Sequence, residues 1–333
     1  MKIFKLLFTS SLMAGTVIAV SSYSWLSMWI GLEINLLSLI PLLSDKYNSY
    51  PSESAIKYFI TQSLASAVML FSIITSLNLK ELFMMDLENM FMMIFNSSIL
   101  TKMGAAPFHA WFPEVMEGLD WLNSLILLTW QKIAPMVILM YNIDMTLFLS
   151  AIIISSSIIG SLLGLNQTSL RKIMAYSSIN HISWMISGML NSTMIWMIYF
   201  SIYSIITINI VIMFSLLKSF YLKQLFNSSN NNKMMKFFFI LNFLSLGGLP
   251  PFLGFFPKWL TVNNLVDSDF FLLSLILITS TLITLFFYLR ITFSTMVINS
   301  NELITPKPQI NKFIIIISNF IALSGLALCT LVF

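Results

Sequence analysis

Five ionisable residues stand inside long apolar runs of the sequence: Glu33, Lys102, Lys132, His181 and Lys258. A charge at membrane depth costs about 2.5–3.5 kcal/mol on insertion scales, so each residue is a functional candidate. An apolar environment disfavours the charged form of a lysine, whereas a neighbouring carboxylate favours it. A buried lysine near a carboxylate can therefore switch between holding and releasing a proton, and histidine titrates near neutral pH. The pattern predicts a series of groups that carries protons.

A purely structural role is the alternative for each of these residues. Glu33 lies midway along its apolar run, and Lys102 and Lys132 are similarly deep, so a proton-carrying role is favoured over an ion pair or an extended surface lysine. His181 is flanked by serines and an asparagine and fits a hydrogen-bonded core residue equally well. Residue counting places Lys258 nearer an interface. Burial alone therefore leaves the roles of His181 and Lys258 open.

Two further cations are secondary candidates. Lys57 lies only one turn into its apolar run, and the favoured interpretation is that its side chain extends to the membrane surface or pairs with Glu53, four residues earlier. Arg290 lies deep enough in its apolar run to be a functional candidate, but its long side chain can also reach the lipid headgroups.

Composition indicates what must hold these groups. Of 333 residues, 58% are hydrophobic and only 9% are charged, whereas soluble domains carry about 25% charged residues. A bilayer core requires about 20 apolar residues per helix, and lipid cannot satisfy the polar groups of open backbone. The expected fold is an all-α polytopic membrane protein.

The composition also argues against several classes of function. The net charge of +4 is spread between the apolar runs without a basic, aromatic-rich stripe, which argues against nucleic-acid binding. Cys329 is a lone cysteine and supports neither a disulfide framework nor an iron–sulfur site. No phosphate-binding glycine motif and no cluster of metal ligands is visible. We expect no cofactor in this chain. The abundance of Met and Phe is typical of an AT-rich organellar genome.

The apolar runs predict about eleven spans of conventional length. The predicted spans are Ile3–Val20, Ser24–Leu43, Ser54–Asn78, Leu87–Trp111, Leu122–Tyr141, Thr146–Leu165, Arg171–Leu190, Met194–Leu217, Phe237–Val262, Phe270–Ile298 and Phe313–Phe333. The longest polar loop, Lys218–Lys236, is predicted to be a solvated linker.

The loop charges predict the orientation of these spans. With eleven spans, one side receives Lys2, Lys5, Lys46, Arg171, Lys172, Lys218, Lys223, Lys233, Lys236, Lys307 and Lys312. Lys80 is the main cation of the other side. The positive-inside rule then places the N-terminus on the cytoplasm-like side and the C-terminus opposite.

Two predicted spans contain helix-breaking residues beside a lysine. The fourth contains KMGAAPFH (Lys102–His109) and the ninth LGGLPPFLGFFPK (Leu246–Lys258). Proline removes a helix hydrogen bond, and paired interrupted spans in two halves are typical of inverted repeats. We expect one membrane domain, 1–333, with repeats at about 3–141 and 146–298 and a C-terminal helix at about 313–333. Two unrelated kinks are the alternative.

Several of these stretches together resemble a known family. They are GLEINLLSLIPLL (31–43), SAIKYF (54–59), KMGAAPFHAWFPEVMEGLDW (102–121), WQKIAP (130–135), GLNQTSLRKIMAYSSINHISWM (164–185) and NFLSLGGLPPFLGFFPKWL (242–260). The sequence resembles the chain 2 family of NADH–ubiquinone oxidoreductases, which are antiporter-like membrane-arm subunits of mitochondrial respiratory complex I, in an insect-like form.

The resemblance implies specific roles in proton translocation. Glu33 would modulate Lys102, with Lys57 in the same neighbourhood. Lys132 would connect two half-channels, His181 would lie on the central water axis, and Lys258 would face the exit.

The resemblance also implies partners and a location. NADH oxidation and ubiquinone reduction, with FMN and iron–sulfur clusters, would occur in other subunits. The neighbours would be the antiporter-like chain 4, chain 4L, accessory subunits and lipids including cardiolipin. The chain would lie in the mitochondrial inner membrane, with its N-terminus on the matrix side and its C-terminus on the intermembrane-space side. A free-standing cation/proton antiporter and a non-transporting scaffold are the alternatives.

Overall fold

The computed structural model describes residues 3–44, 48–79, 85–229, 233–297 and 319–320. These residues form fourteen α-helices and contain no β-strand, which confirms the all-α class. Seven helical stretches among them are long and apolar enough to cross a membrane. Most of the predicted eleventh span, together with Lys2, Lys46, Lys80, Lys307 and Lys312, lies outside the described residues. The number of eleven spans stays a prediction.

The chain divides into two compact units, Met1–Ile152 and Ile153–Phe333. The helices up to the division are α1 (Ile3–Ser21), α2 (Trp25–Leu43), α3 (Ser49–Leu79), α4 (Met85–Met103), α5 (Trp111–Gly118), α6 (Trp121–Leu128) and α7 (Trp130–Met140). The division itself falls within α8 (Thr146–Gly164). The remaining helices are α9 (Leu170–Met189), α10 (Thr193–Leu217), α11 (Leu222–Ser229), α12 (Lys233–Gly247), α13 (Phe255–Asp267) and α14 (Phe271–Val297).

The first unit is held by close packing of α1 on α2. A Cβ atom at Gly31 would lie 2.6 Å from the backbone nitrogen of Ala19, so only glycine permits this approach. Small residues allow membrane helices to approach in this way where apolar burial offers no driving force between them. The packing fixes α2, which carries Glu33.

The second unit is built around α9, which is buried along nearly its whole length. A helix with a polar face could not be buried on all sides unless its polar groups were satisfied. Ser177 and Ser183 meet this demand by donating to carbonyls one turn earlier, those of Met174 (2.8 Å) and Asn180 (2.6 Å). The helix can therefore carry His181 through the core.

Both predicted interrupted spans are divided into two helices in the structure, α4 and α5 in the first unit and α12 and α13 in the second. The first halves end at Met103 and Gly247, and the second halves begin at Trp111 and Phe255. The gap between the two helices therefore has the same length in both units. Each gap contains one cis X–Pro bond, Ala106–Pro107 or Pro250–Pro251.

The prediction of a solvated linker at Lys218–Lys236 is wrong for its first half. This part contains α11, and Leu225 within it is fully buried (0% exposed). Tyr221 forms an antiparallel backbone bridge with Ser169. An apolar side chain within a polar stretch can anchor the segment to the unit, and composition alone did not indicate this contact.

Candidate functional site

The first helix interruption is closed by a left-handed glycine. Gly104 has φ +74°, and its N–H donates to the carbonyl of Thr101 at 3.2 Å. The N–H of Ala105 reaches back to Leu100 at 3.1 Å. This is the pattern in which glycine satisfies the last carbonyls of a helix, and it ends α4 directly after Lys102.

Lys102 lies in the last turn of α4 and is only 8% exposed. Its backbone carbonyl accepts a hydrogen bond from Gln62 Nε2 on α3 at 3.4 Å. Glu33, on α2, is partly exposed and interacts electrostatically with Lys102 and with Tyr58. No ion pair within 4.0 Å joins Glu33 to Lys102 among the described residues, so the carboxylate influences the lysine from a distance.

Lys132 is the most deeply buried of the candidate lysines, at 1% exposure. The predicted fifth span is divided here, because α6 ends at Leu128 and α7 begins at Trp130. The Lys132 Nζ lies 5.8 Å from the ring centroid of Phe112, within the range of a cation–π interaction. Phe112 in turn packs on Gly104, where an added Cβ would lie 3.1 Å from the Cβ of Phe112. The environment of Lys132 thus depends on the helix interruption that also positions Lys102.

Lys57 is placed differently from the other lysines. It forms ion pairs with Glu53 at 3.0 Å and with Glu114 at 3.3 Å, and 43% of its side chain is exposed. The predicted pair with Glu53 is confirmed. The pair with Glu114, on α5 beyond the helix interruption, is not visible in the local sequence. Exposed pairs of this kind contribute little to stability.

The second helix interruption repeats the hydrogen-bond pattern of the first. Gly248 has φ +76°, and its N–H donates to Ser245 O at 3.0 Å while Leu249 donates to Leu244 O at 3.3 Å. Here the glycine touches the lysine itself, because a Cβ at Gly248 would lie 2.7 Å from Lys258 Cδ.

Lys258 is 8% exposed and lies in the first turn of α13. Its Nζ donates to the carbonyls of Gly247 at 2.9 Å and Leu246 at 3.3 Å. These carbonyls end α12, and the last carbonyls of a helix carry partial negative charge and lack partners within the helix. The Nζ also lies 5.9 Å from the ring centroid of Trp184. The helix-end carbonyls thus stabilise a buried ammonium that has no carboxylate within 4.0 Å among the described residues.

His181 lies on α9 with 5% exposure, and its Nδ1 is 2.9 Å from the hydroxyl of Tyr199. Its ring lies 5.0 Å from that of Tyr203, centroid to centroid. Both tyrosines and His181 line a cavity of about 10 Å³, together with Leu246, whose carbonyl binds Lys258. One ordered water needs about 10–15 Å³, so the cavity is at the lower limit for a single water molecule.

Arg290 caps a helix end. Its guanidinium donates to the carbonyl of Leu165 at 2.6 Å and to that of Gln167 at 3.1 Å, directly after α8. A cation at a helix C-terminus is favourable, so these contacts support a structural role.

Sequence reasoning missed the neighbours of the candidate residues rather than the residues themselves. Phe112, Trp184 and Tyr199 are ordinary apolar or aromatic residues in apolar runs, and their spacing carries no signal of a lysine or histidine partner. In the part of the chain that the structure describes, no group of three or more His, Cys, Asp or Glu side chains could hold a metal ion.

Comparison with known proteins places the chain in a family. Residues 22–284 match the family model described as NADH:quinone oxidoreductase/Mrp antiporter, transmembrane. The chain is 48% identical over 337 residues to NADH-ubiquinone oxidoreductase chain 2 of Anopheles gambiae, covering 100% of this chain and 98% of the relative. The chain belongs to the NADH:quinone oxidoreductase/Mrp antiporter family.

One further relative and two solved structures also resemble the chain. The chain 2 protein of Locusta migratoria is 50% identical over 298 residues, covering 90% of this chain and 87% of the relative. The fold resembles a chain in the structure of respiratory complex I from Thermus thermophilus with bound aureothin, with a TM-score of 0.89 and 22% identity, covering 99% of this chain and 79% of that one. It also resembles a chain of the Mrp complex from Dietzia sp., with a TM-score of 0.77 and 13% identity, covering 90% and 61%.

Proposed function

We propose that this chain is a proton-translocating membrane subunit of respiratory complex I. Other subunits would oxidise NADH and reduce ubiquinone, using their own FMN and iron–sulfur clusters. The insect relatives named above, which match almost the whole chain, support the assignment to this complex. We further propose the mitochondrial inner membrane as its location, with the N-terminus on the matrix side.

One structural observation carries the proposal. Three lysines, Lys102, Lys132 and Lys258, are each at most 8% exposed, and each lies within a turn of a helix interruption. At an interruption, backbone carbonyls and N–H groups without helical partners are available to a side chain or to water. A buried lysine in such a place can be stabilised in its charged form without a fixed counter-ion, and can therefore gain and lose a proton.

The carboxylate of Glu33 supports a control function for the first lysine. The absence of a direct ion pair between Glu33 and Lys102 in the described residues matters, because a close pair would hold the lysine permanently charged. A carboxylate that acts from a distance changes its influence when either group moves or changes protonation. We propose that Glu33 modulates the proton affinity of Lys102 in this way.

In the second unit, we propose that His181 passes protons towards Lys258. The Nδ1 of His181 lies within hydrogen-bond distance of the Tyr199 hydroxyl, and an imidazole can both donate and accept a proton. The small cavity beside these residues extends to Leu246, next to the bound ammonium of Lys258. Lys132 would have the connecting role that the family resemblance suggests, while Lys57 and Arg290 would be structural.

The test is to remove one buried charge in the assembled complex. We expect Lys132→Met to lower the number of protons moved per NADH oxidised, or to slow coupled turnover, in reconstituted vesicles. Methionine retains most of the length of the lysine stem, so packing changes little. Lys223→Met on α11 is the matched control, because Lys223 is exposed.

Two outcomes would contradict the proposal. If the fully assembled Lys132→Met complex pumped with the wild-type ratio and rate, the buried charges would be structural and the chain a scaffold. If native purification recovered the chain without flavin or iron–sulfur partners, a free-standing cation/proton antiporter would be the better description.

A further inference from the structure

A second polar cavity lies in the first unit, away from the candidate lysines. Its volume is about 20 Å³, and three of its lining residues are polar: Ser72 and Ser76 on α3 and Asn142 directly after α7. The rest of the lining is apolar and includes Trp25 and Phe95, whose rings pack edge to face 4.9 Å apart.

The cavity contains a buried donor that lacks a partner. Asn142 is 6% exposed, and its side-chain nitrogen Nδ2 has no hydrogen-bond partner among the described residues. Its backbone carbonyl accepts from Asn96 Nδ2 at 3.2 Å, and the other side-chain atom of Asn96, Oδ1, is also buried and unpaired. A buried polar atom without a partner costs about 1–3 kcal/mol, so the Asn142 donor, which belongs to the cavity lining, calls for a ligand.

The two serines supply complementary acceptors. The hydroxyl of Ser72 donates to Met69 O at 2.7 Å, and that of Ser76 donates to Ile73 O at 2.9 Å. Each hydroxyl therefore uses its proton within α3 and keeps lone pairs for a donor in the cavity. The lining offers one N–H donor and two hydroxyl acceptors, with no carboxylate to bind a cation.

We propose that this cavity binds one ordered water molecule, and that an apolar layer seals that water from Lys102. The water accepts from Asn142 and donates to Ser72 and Ser76. A single water needs about 10–15 Å³ and two to four polar partners, and both conditions are met.

The apolar layer consists of Met69 on α3 and Ile99 on α4, both 0% exposed. Ile99 lies four residues after Phe95, which lines the cavity, and three before Lys102, or about 6 Å and about 4.5 Å along the helix axis. Along α3, Met69 lies in sequence between Ser72 and Gln62. The side chain of Gln62 donates to the backbone carbonyl of Lys102. Apolar constrictions in membrane proteins prevent passage by excluding water. This sealing role depends on the proposed function of Lys102, whereas the water site does not.

The water site is tested by a high-resolution density map of the intact complex that contains the chain. We expect one peak within hydrogen-bond distance of Asn142 Nδ2 and of the hydroxyls of Ser72 and Ser76. An empty cavity, or one filled by a lipid tail or a rearranged side chain, overturns the proposal.

The seal is tested by Met69→Ser, with Met69→Leu as the matched control of similar volume. In vesicles containing the intact complex, a pH gradient is imposed without NADH and its decay is followed. We expect the gradient to decay severalfold faster with Met69→Ser than with Met69→Leu, because water would then reach Lys102. If Met69→Ser does not assemble, Ile99→Ser against Ile99→Leu makes the same comparison.

Equal decay rates in an assembled serine–leucine pair overturn the seal. This result is distinct from failure of the proposed function, since passive decay is measured without NADH and pumping is measured per NADH oxidised in Lys132→Met.

Discussion

Replacing Gly248 with alanine should displace the side chain of Lys258 while the lysine itself is kept. Gly248 has φ +76°, and the left-handed conformation costs an L-residue about 1–2 kcal/mol. The new Cβ would also lie 2.7 Å from Lys258 Cδ and 2.9 Å from its Nζ, so the lysine must move. Movement weakens the bonds from Nζ to Gly247 O and Leu246 O, and each bond from a charged donor contributes about 1.5–3 kcal/mol.

The assay measures proton movement per NADH oxidised in assembled complex, with assembly checked by native electrophoresis. We expect Gly248→Ala to lower the ratio or the coupled rate, since the ammonium loses its position at the end of α12. Gly247→Ala is the matched control, because a Cβ there would meet nothing nearer than 3.7 Å. Equal pumping by the two variants in fully assembled complex would refute the reasoning that the carbonyl contacts of Lys258 matter for proton transfer.

The remaining predictions concern packing and positioning. Gly254→Ala should prevent stable assembly, because its Cβ would lie 1.7 Å from the carbonyl oxygen of Ser245; normal complex levels on a native gel would contradict this. Tyr199→Phe removes the hydrogen bond to His181, worth about 1 kcal/mol, so the coupled pumping rate should fall severalfold at most while assembly persists. Arg290→Met should lower stability by about 3 kcal/mol or more through the loss of two bonds from a charged donor, with pumping per NADH unchanged in the assembled fraction. An altered ratio would give Arg290 a transport role.

The sequence alone predicted most of the long helices and nominated the charged residues of the candidate site. Runs of apolar residues gave most helix ends to within a few positions, as for Ser24–Leu43 against the observed Trp25–Leu43. Glycine beside proline marked the two places where a span is divided. These features are local, because chain length within lipid and the missing N–H of proline act without reference to distant residues.

Local reasoning failed where the deciding contact was distant in sequence. The predicted span Leu122–Tyr141 corresponds to one apolar stretch, Trp121–Met140, but the sequence did not predict the break at Thr129 between α6 and α7, which has no neighbouring glycine. Residue counting could not decide whether Lys258 is buried, because α13 begins only after a helix interruption. The depth of Lys258 therefore depends on how α13 packs.

Tertiary structure alone decided what each charge touches. Lys258 donates hydrogen bonds to helix-end carbonyls, and Lys57 forms an ion pair with Glu114, which lies beyond a helix interruption. The Nζ of Lys132 lies over the ring of Phe112. A side chain at membrane depth must be stabilised by whatever group the packing brings within a few ångströms, since water is not freely available there. Residue type therefore determines that a partner is needed, and the packing of helices distant in sequence determines which partner it is.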